Sequence, residues 1–93
     1  MNVEEPLPIS AYYEVVSHID LFKGSKWWGS VVLYRRPGGR RCEIGLYLWV
    51  KKETQWKRKN KFVIRNRGDW LLIRESVDKL ILKIDAPHEA KSS

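Results

Sequence analysis

Apolar and polar residues alternate most clearly in the middle of the chain. Across residues 27–36 and 40–52, apolar side chains recur at every second position, which is the period of a β-strand. Residues 36–39 supply the proline and paired glycines of a turn between them. The pattern predicts an antiparallel hairpin in which Arg35 lies opposite Arg40.

The two faces of this predicted hairpin differ in chemistry. One face is aliphatic apart from a cysteine: Val31, Leu33, Cys42, Ile44, Leu46, Leu48 and Val50. The other is aromatic and charged: Trp28, Tyr34, Arg41, Glu43, Tyr47, Trp49 and Lys51. Because aliphatic side chains are the ones most often buried, we expect the first face to form the core, with Trp27 on it. We expect the second face, including Tyr47 and Trp49, to meet solvent.

The segments on either side of the hairpin are less regular. Residues 9–22 carry apolar side chains at helical spacing, although their tyrosines and valines also favour a strand, and we favour a short helix. Residues 56–65 predict a third and a fourth short strand, broken or bent near Asn60.

A helix is predicted from Arg67 to Ile84. Asn66 is a good N-cap, and Asp69 favours the positive end of the helix dipole. One apolar stripe is wide enough to cover the sheet: Trp70, Ile73, Val77, Leu80, Ile81 and Ile84. A second stripe, Leu71 and Leu82, has no obvious partner, which indicates either a homodimer through this helix or a docked N-terminal segment.

These elements predict one α+β domain with a four-stranded antiparallel β-sheet followed by a C-terminal α-helix, preceded by a helical or strand extension. A chain of 93 residues is long enough for one compact domain. We divide it into an arm (1–8), an extension (9–25), a sheet-plus-helix core (26–84) and a tail (85–93).

Charge is concentrated in the centre of the chain. The net charge is +7, but residues 23–67 carry 14 basic and two acidic side chains, a net of +12. The remaining residues carry four basic and nine acidic side chains, a net of −5. This asymmetry indicates a polyanionic partner, with nucleic acid ahead of an anionic membrane surface.

The same composition argues against several other classes. The single cysteine, Cys42, cannot form an internal disulfide, and no apolar run approaches the roughly 20 residues that span a bilayer. His18 and His88 are far apart and form no metal or nucleophile set. We therefore expect no enzymatic activity, cofactor or metal, and a location in the cytoplasm or on the nucleoid.

Cations interleaved with aromatic rings suit single-stranded nucleic acid, because cations neutralise phosphates and exposed rings stack on unpaired bases. We expect single-stranded DNA, or RNA, to be bound with little sequence preference. The candidate residues are Tyr34, Arg36, Arg41, Tyr47, Trp49, Lys51, Trp56, Lys57, Lys59 and Lys61.

The second half of the chain resembles a known family. The strand IGLYLW (44–49), the basic run KRKNK (57–61), the strand VIR (63–65) and the helix start NRGDW (66–70) follow one another in order. This arrangement resembles the transcriptional coactivator positive cofactor four and its archaeal and bacterial relatives, and the archaeal single-stranded-DNA-binding proteins called ThermoDBP share that core fold.

The resemblance implies a curved sheet, dimerisation through the C-terminal helix, and single strands running across the sheets. It also implies base stacking by Trp49, with Lys57 and Lys61 beside the backbone. Two alternatives remain. The first is an architectural protein of duplex DNA, in which aromatic side chains act as wedges or core. The second is a protein-interaction module whose basic sheet receives an acidic partner in transcription.

Overall fold

The computed structural model of the protein describes residues 6–85. Its elements are β1 (Glu14–Lys23), β2 (Trp27–Arg35), β3 (Cys42–Lys52), β4 (Gln55–Ile64) and α1 (Arg67–Asp85). The strands form one curved antiparallel sheet in the order β1-β2-β3-β4, and the helix follows it. The α+β class and its architecture are therefore confirmed. The first five residues of the predicted arm, and the predicted tail with His88, lie outside the described residues.

The N-terminal extension is a strand over most of its length, so the helix favoured for residues 9–22 is wrong. β1 pairs with β2 throughout and has two register shifts, between Val15 and Ser17 and between Asp20 and Phe22. Each shift adds a residue to the strand alternation. Of the apolar positions at helical spacing, Ile9 and Tyr13 precede β1, whereas Val16 and Ile19 lie within it, so the pattern combined two different segments.

The central hairpin forms, but its register differs from the prediction by two residues. Arg35 pairs with Cys42 instead of Arg40, so the connecting loop has six residues, 36–41. Gly39 N donates to Arg36 O at 2.9 Å, and Gly38 has a φ of 74°, as in a type II turn. A shift of two preserves side-chain parity, so the aliphatic and aromatic faces contain the residues predicted for them.

β4 is one continuous strand, not two. Lys59 is an extra residue that forms a bulge, after which the side-chain alternation is inverted. Lys57 therefore lies opposite Val50 on the aliphatic face, whereas Lys61 lies opposite Tyr47 on the aromatic face. Lys57, Lys59 and Lys61, although spaced at every second position, therefore do not lie along one face.

The aromatic face is the core of the described chain. Its most buried side chains are Trp28, Val32, Tyr34, Tyr47 and Trp49. Tyr47 is 5% exposed and Trp49 is 0% exposed, so the prediction that both meet solvent is wrong. They are covered because Leu7, Ile9 and Tyr13, from the segment before β1, pack against this face.

The aliphatic face and the helix are the more exposed parts of the molecule. Asn66 caps α1 as predicted, accepting a hydrogen bond from Asp69 N at 2.8 Å. Among the described elements, however, α1 packs only against β4. Trp70 is 43% exposed and Trp27 is 40% exposed, so neither is core in the single chain. The stripe predicted to cover the sheet does not do so.

The dimensions of the chain agree with this open arrangement. The radius of gyration is 16.5 Å, whereas a compact domain of this length has about 12 Å. The excess reflects a helix that extends away from the sheet. Within residues 6–85, no helix is both long enough and apolar enough to cross a bilayer.

Candidate nucleic-acid interface

Strand register brings the aromatic side chains of three strands together. Trp28 of β2 lies opposite Trp49 of β3, with ring centroids 5.0 Å apart. Tyr47 stacks on Trp49 at 5.2 Å with an interplanar angle of 18°, and Trp56 of β4 meets Trp28 edge-on at 5.4 Å. We call this group, together with Tyr34, the aromatic cluster. Each ring adds contact energy to its neighbours beyond simple burial.

Some polar side-chain atoms of the aromatic cluster have hydrogen-bond partners and others do not. Trp28 Nε1 donates to Asp20 Oδ1 at 2.9 Å, and Tyr34 Oη donates to Glu43 Oε1 at 3.0 Å. Trp49 Nε1 is buried, and no acceptor for it lies among the described residues. The Tyr47 hydroxyl is also buried, without a hydrogen bond of good geometry in the same part of the chain. Most buried polar groups have partners, so these two atoms mark an incompletely satisfied site.

Lys61 is held by tyrosines rather than presented to solvent. Its ammonium lies 4.5 Å from the ring centroid of Tyr13, 4.7 Å from that of Tyr34 and 5.2 Å from that of Tyr47. Partial burial lowers the pKa of Lys61, but the hydroxyls of Tyr47 and Tyr34 outweigh it and leave the pKa above its ordinary value. Lys61 therefore stays charged and stabilises the tyrosines by cation–π contact.

Glu43 organises the charges at the end of the cluster nearest the β2–β3 loop. Burial raises the pKa of the Tyr34 hydroxyl, and the hydrogen bond to Glu43 raises it further. The Glu43 carboxylate also pairs with Arg36 at 3.4 Å and with Arg65 at 3.7 Å. Because Arg36 is engaged with this carboxylate, its charge is partly neutralised within the protein.

The segment that covers the aromatic cluster, residues 6–13, we call the N-terminal strap. Its backbone is closed on itself by hydrogen bonds from Ile9 N to Leu7 O and from Tyr13 N to Ser10 O. Its apolar side chains supply the packing against the sheet, and Tyr13 meets Tyr34 edge-on with centroids 5.0 Å apart. The strap thus occupies the surface on which the sequence predicts that bases stack.

An open cationic site lies at the other end of the hairpin, and we call it the tryptophan groove. It has a volume of about 500 Å³. Its lining residues are Lys26, Trp27, Val50, Lys51, Lys52, Lys57, Arg58 and Lys59. Six of these eight side chains are cationic and none is acidic. The half-exposed ring of Trp27 is the aromatic surface of the groove.

The structure divides the ten predicted residues among three places. Lys51, Lys57 and Lys59 come together in the tryptophan groove. Arg36 and Arg41 are exposed at the far end of the hairpin, beyond Arg35, which is eight residue steps from Trp27 along β2 and so about 26 Å away at ~3.3 Å per step. The other five belong to or contact the aromatic cluster: Tyr34, Tyr47, Trp49, Trp56 and Lys61.

Sequence reasoning missed four groove residues, Lys26, Trp27, Lys52 and Arg58. Trp27 was assigned to the core because its parity matches the aliphatic side chains. That parity is correct, but the described chain places no element over this end of the face. The missed signal was the sequence KW before β2 and the pair KK at the end of β3, which an antiparallel hairpin brings together.

Comparison with known proteins gave no match: no protein-family model, curated protein or solved structure is similar to this chain. Within residues 6–85, no cluster of histidine, cysteine and carboxylate side chains is arranged to hold a metal ion. The function therefore has to follow from the tryptophan groove and the aromatic cluster themselves.

Proposed function

We propose that this protein binds single-stranded nucleic acid, with DNA as the expected ligand, and that the tryptophan groove is its open docking site. One observation carries the proposal: six cationic residues line the groove that contains the half-exposed ring of Trp27, and no carboxylate lines it. Cations without neighbouring acids retain their full charge for an external anion, in contrast to Arg36, which already faces Glu43.

The groove combines the two interactions that single strands require. Lysines on its rim would neutralise phosphates and release condensed counterions, which makes binding salt-dependent. The ring of Trp27 would stack on an unpaired base, an interaction that contributes about 1–3 kcal/mol and tolerates any base. A duplex keeps its base faces stacked on one another, so it could use the lysines but not the tryptophan.

We propose that the active form is a homodimer, as the family resemblance implies. Both α1 and the aliphatic face have exposed apolar residues, and the molecule is open, with a radius of gyration of 16.5 Å. A second copy offers the same two surfaces in return, so each helix could cover apolar surface of its partner. Two grooves on one particle would also strengthen binding to a long strand through effective concentration.

Tryptophan fluorescence tests the proposal directly. The protein is titrated with a 20-nucleotide oligothymidylate and with a 20-base-pair duplex at several salt concentrations. We expect tighter binding and stronger quenching with the single strand, and a log–log salt slope of about −0.7 for each phosphate contacted. Replacing Trp27 with alanine should weaken binding by about 1–3 kcal/mol.

A charge-matched pair of variants assigns the binding to the groove. Lys57→Gln with Lys59→Gln should reduce the magnitude of the salt slope by about 1.4, because two phosphate contacts are lost. Lys79→Gln with Lys83→Gln removes the same net charge from α1 and should leave the slope unchanged. Equal effects of the two pairs would mean that net charge, not the groove, drives binding. Binding of poly-glutamate but of neither nucleic acid would instead favour the protein-interaction alternative.

A further inference from the structure

We infer that the N-terminal strap is an autoinhibitory cover that competes with single-stranded nucleic acid for the aromatic cluster. In the covered state, a strand has access to the tryptophan groove alone. Displacement of the strap adds Tyr47, Trp49 and the freed Lys61 to the binding surface. This inference rests on the proposed function, and it concerns how the same protein regulates its affinity.

The strap is attached in a way that permits release. Hydrogen bonds from Ile9 N to Leu7 O, from Tyr13 N to Ser10 O and from Tyr12 N to Ser10 Oγ close turns within the strap itself. Its packing on the cluster comes from the half-buried side chains of Leu7, Ile9 and Tyr13. A segment held by apolar side chains leaves the sheet without breaking the strand pairing beneath it.

The strap also seals the cluster incompletely. A gap of about 360 Å³ lies between the strap and the sheet. It is lined on one side by strap residues and on the other by Tyr47 and Arg58. Arg58 also lines the tryptophan groove. A strand that enters the groove therefore reaches a cation that borders the strap, and its next nucleotide arrives at the edge of the cluster.

The polar groups under the strap suit a nucleotide better than they suit the strap. Trp49 Nε1 is a buried donor with no acceptor among the described residues, whereas the edge of every base and every phosphate offers acceptors. Lys61 lies between Tyr13 of the strap and the sheet tyrosines. If Tyr13 moved away with the strap, the Lys61 ammonium would stay in contact with the rings of Tyr34 and Tyr47. Its other side would then be open to a phosphate.

The test weakens the strap in the full-length protein and measures binding of a fluorescein-labelled 20-nucleotide oligothymidylate by anisotropy. Leu7→Ser with Ile9→Ser removes two anchors, and we expect the dissociation constant to fall by about 5- to 10-fold. Leu21→Ser alters an apolar residue of β1, outside the strap, that is 62% exposed, and it should leave the dissociation constant unchanged. Circular dichroism of the aromatic bands checks that both variants are folded.

The outcomes separate this inference from the proposed function. If the wild-type protein binds and the Leu7→Ser/Ile9→Ser variant binds equally well or more weakly, the strap is not inhibitory although the function stands. If neither protein binds the oligonucleotide, both proposals fail. Limited chymotrypsin digestion of the wild-type protein gives a second measurement that needs no variant. Cleavage after Tyr12 and Tyr13 should accelerate at saturating oligothymidylate, and protection of these sites would overturn the inference.

Discussion

The aromatic face of the sheet is more buried than the aliphatic face, which is the opposite of what their hydropathy predicts. The aromatic face, with its lysine, carboxylate and hydroxyl groups, is covered by the N-terminal strap. On the aliphatic face Val50 and Ile64 are buried, but most other side chains are half-buried or exposed, and Phe62 at its edge is 56% exposed. A face of a sheet is buried only where another segment packs over it. Apolar side chains on that face do not ensure that such a segment is present.

The difference in burial between the two faces follows from where the N-terminal strap and α1 join the sheet. The strap precedes β1 directly and folds back over the aromatic side of its own sheet. Only two residues separate the last residue of β4, Ile64, from the start of the helix, which extends away from the sheet. Large exposed apolar patches usually mark an interaction surface, and the exposed part of the aliphatic face is the surface that the proposed homodimer would cover.

The largest expected difference between the faces is in folding stability. Trp49→Ala should lower the free energy of unfolding by about 3–5 kcal/mol, because it removes a fully buried ring from the cluster. Trp27→Ala removes a half-exposed ring from the aliphatic side and should cost below about 1 kcal/mol. Urea denaturation followed by circular dichroism measures both. Equal losses would show that the two faces are buried alike in solution.

The next comparison concerns self-association. Leu80, on α1, is 60% exposed in the single chain. Leu80→Glu should raise the dimer dissociation constant by about 100-fold or more, because a charge would enter an apolar interface. Lys79→Glu, its neighbour on the polar side, should change it by less than about fivefold. Sedimentation equilibrium gives both values. A wild-type protein that stays monomeric at high concentration would rule out the second copy as the occupant of these surfaces.

The smallest effect distinguishes two lysines of one strand. Lys61→Gln should destabilise the fold by roughly 1 kcal/mol through loss of its cation–π contacts, whereas Lys57→Gln should have little effect on stability. The raised pKa of Lys61 means that its contribution is complete below the ordinary value of 10.5 and is lost as pH rises through the higher folded value. Urea titrations at neutral and strongly alkaline pH measure this. A Lys57→Gln variant as unstable as Lys61→Gln would show that the bulge does not separate them.

Much of the fold follows from local sequence signals, whereas less of the site does. The helix cap at Asn66 and the turn at Gly38 depend on a few neighbouring residues, and both were correctly placed. The bulge at Lys59 was missed because no local signal distinguishes an extra residue from an ordinary strand position, and it moved Lys57 to the other face. Trp27 was missed because its burial depends on an element that is remote in sequence.

The sequence by itself determined the elements and which side chains share a face. Both depend on local propensity and on the two-residue period of a strand, which a register error of two does not disturb. Only the tertiary structure decided which face is covered, how β1 joins the sheet and where the cations converge. These depend on residues far apart along the chain, such as Leu7, which packs on the aromatic cluster, and Lys26 and Lys57, which line the same groove. A periodic pattern contains no information about such long-range pairings.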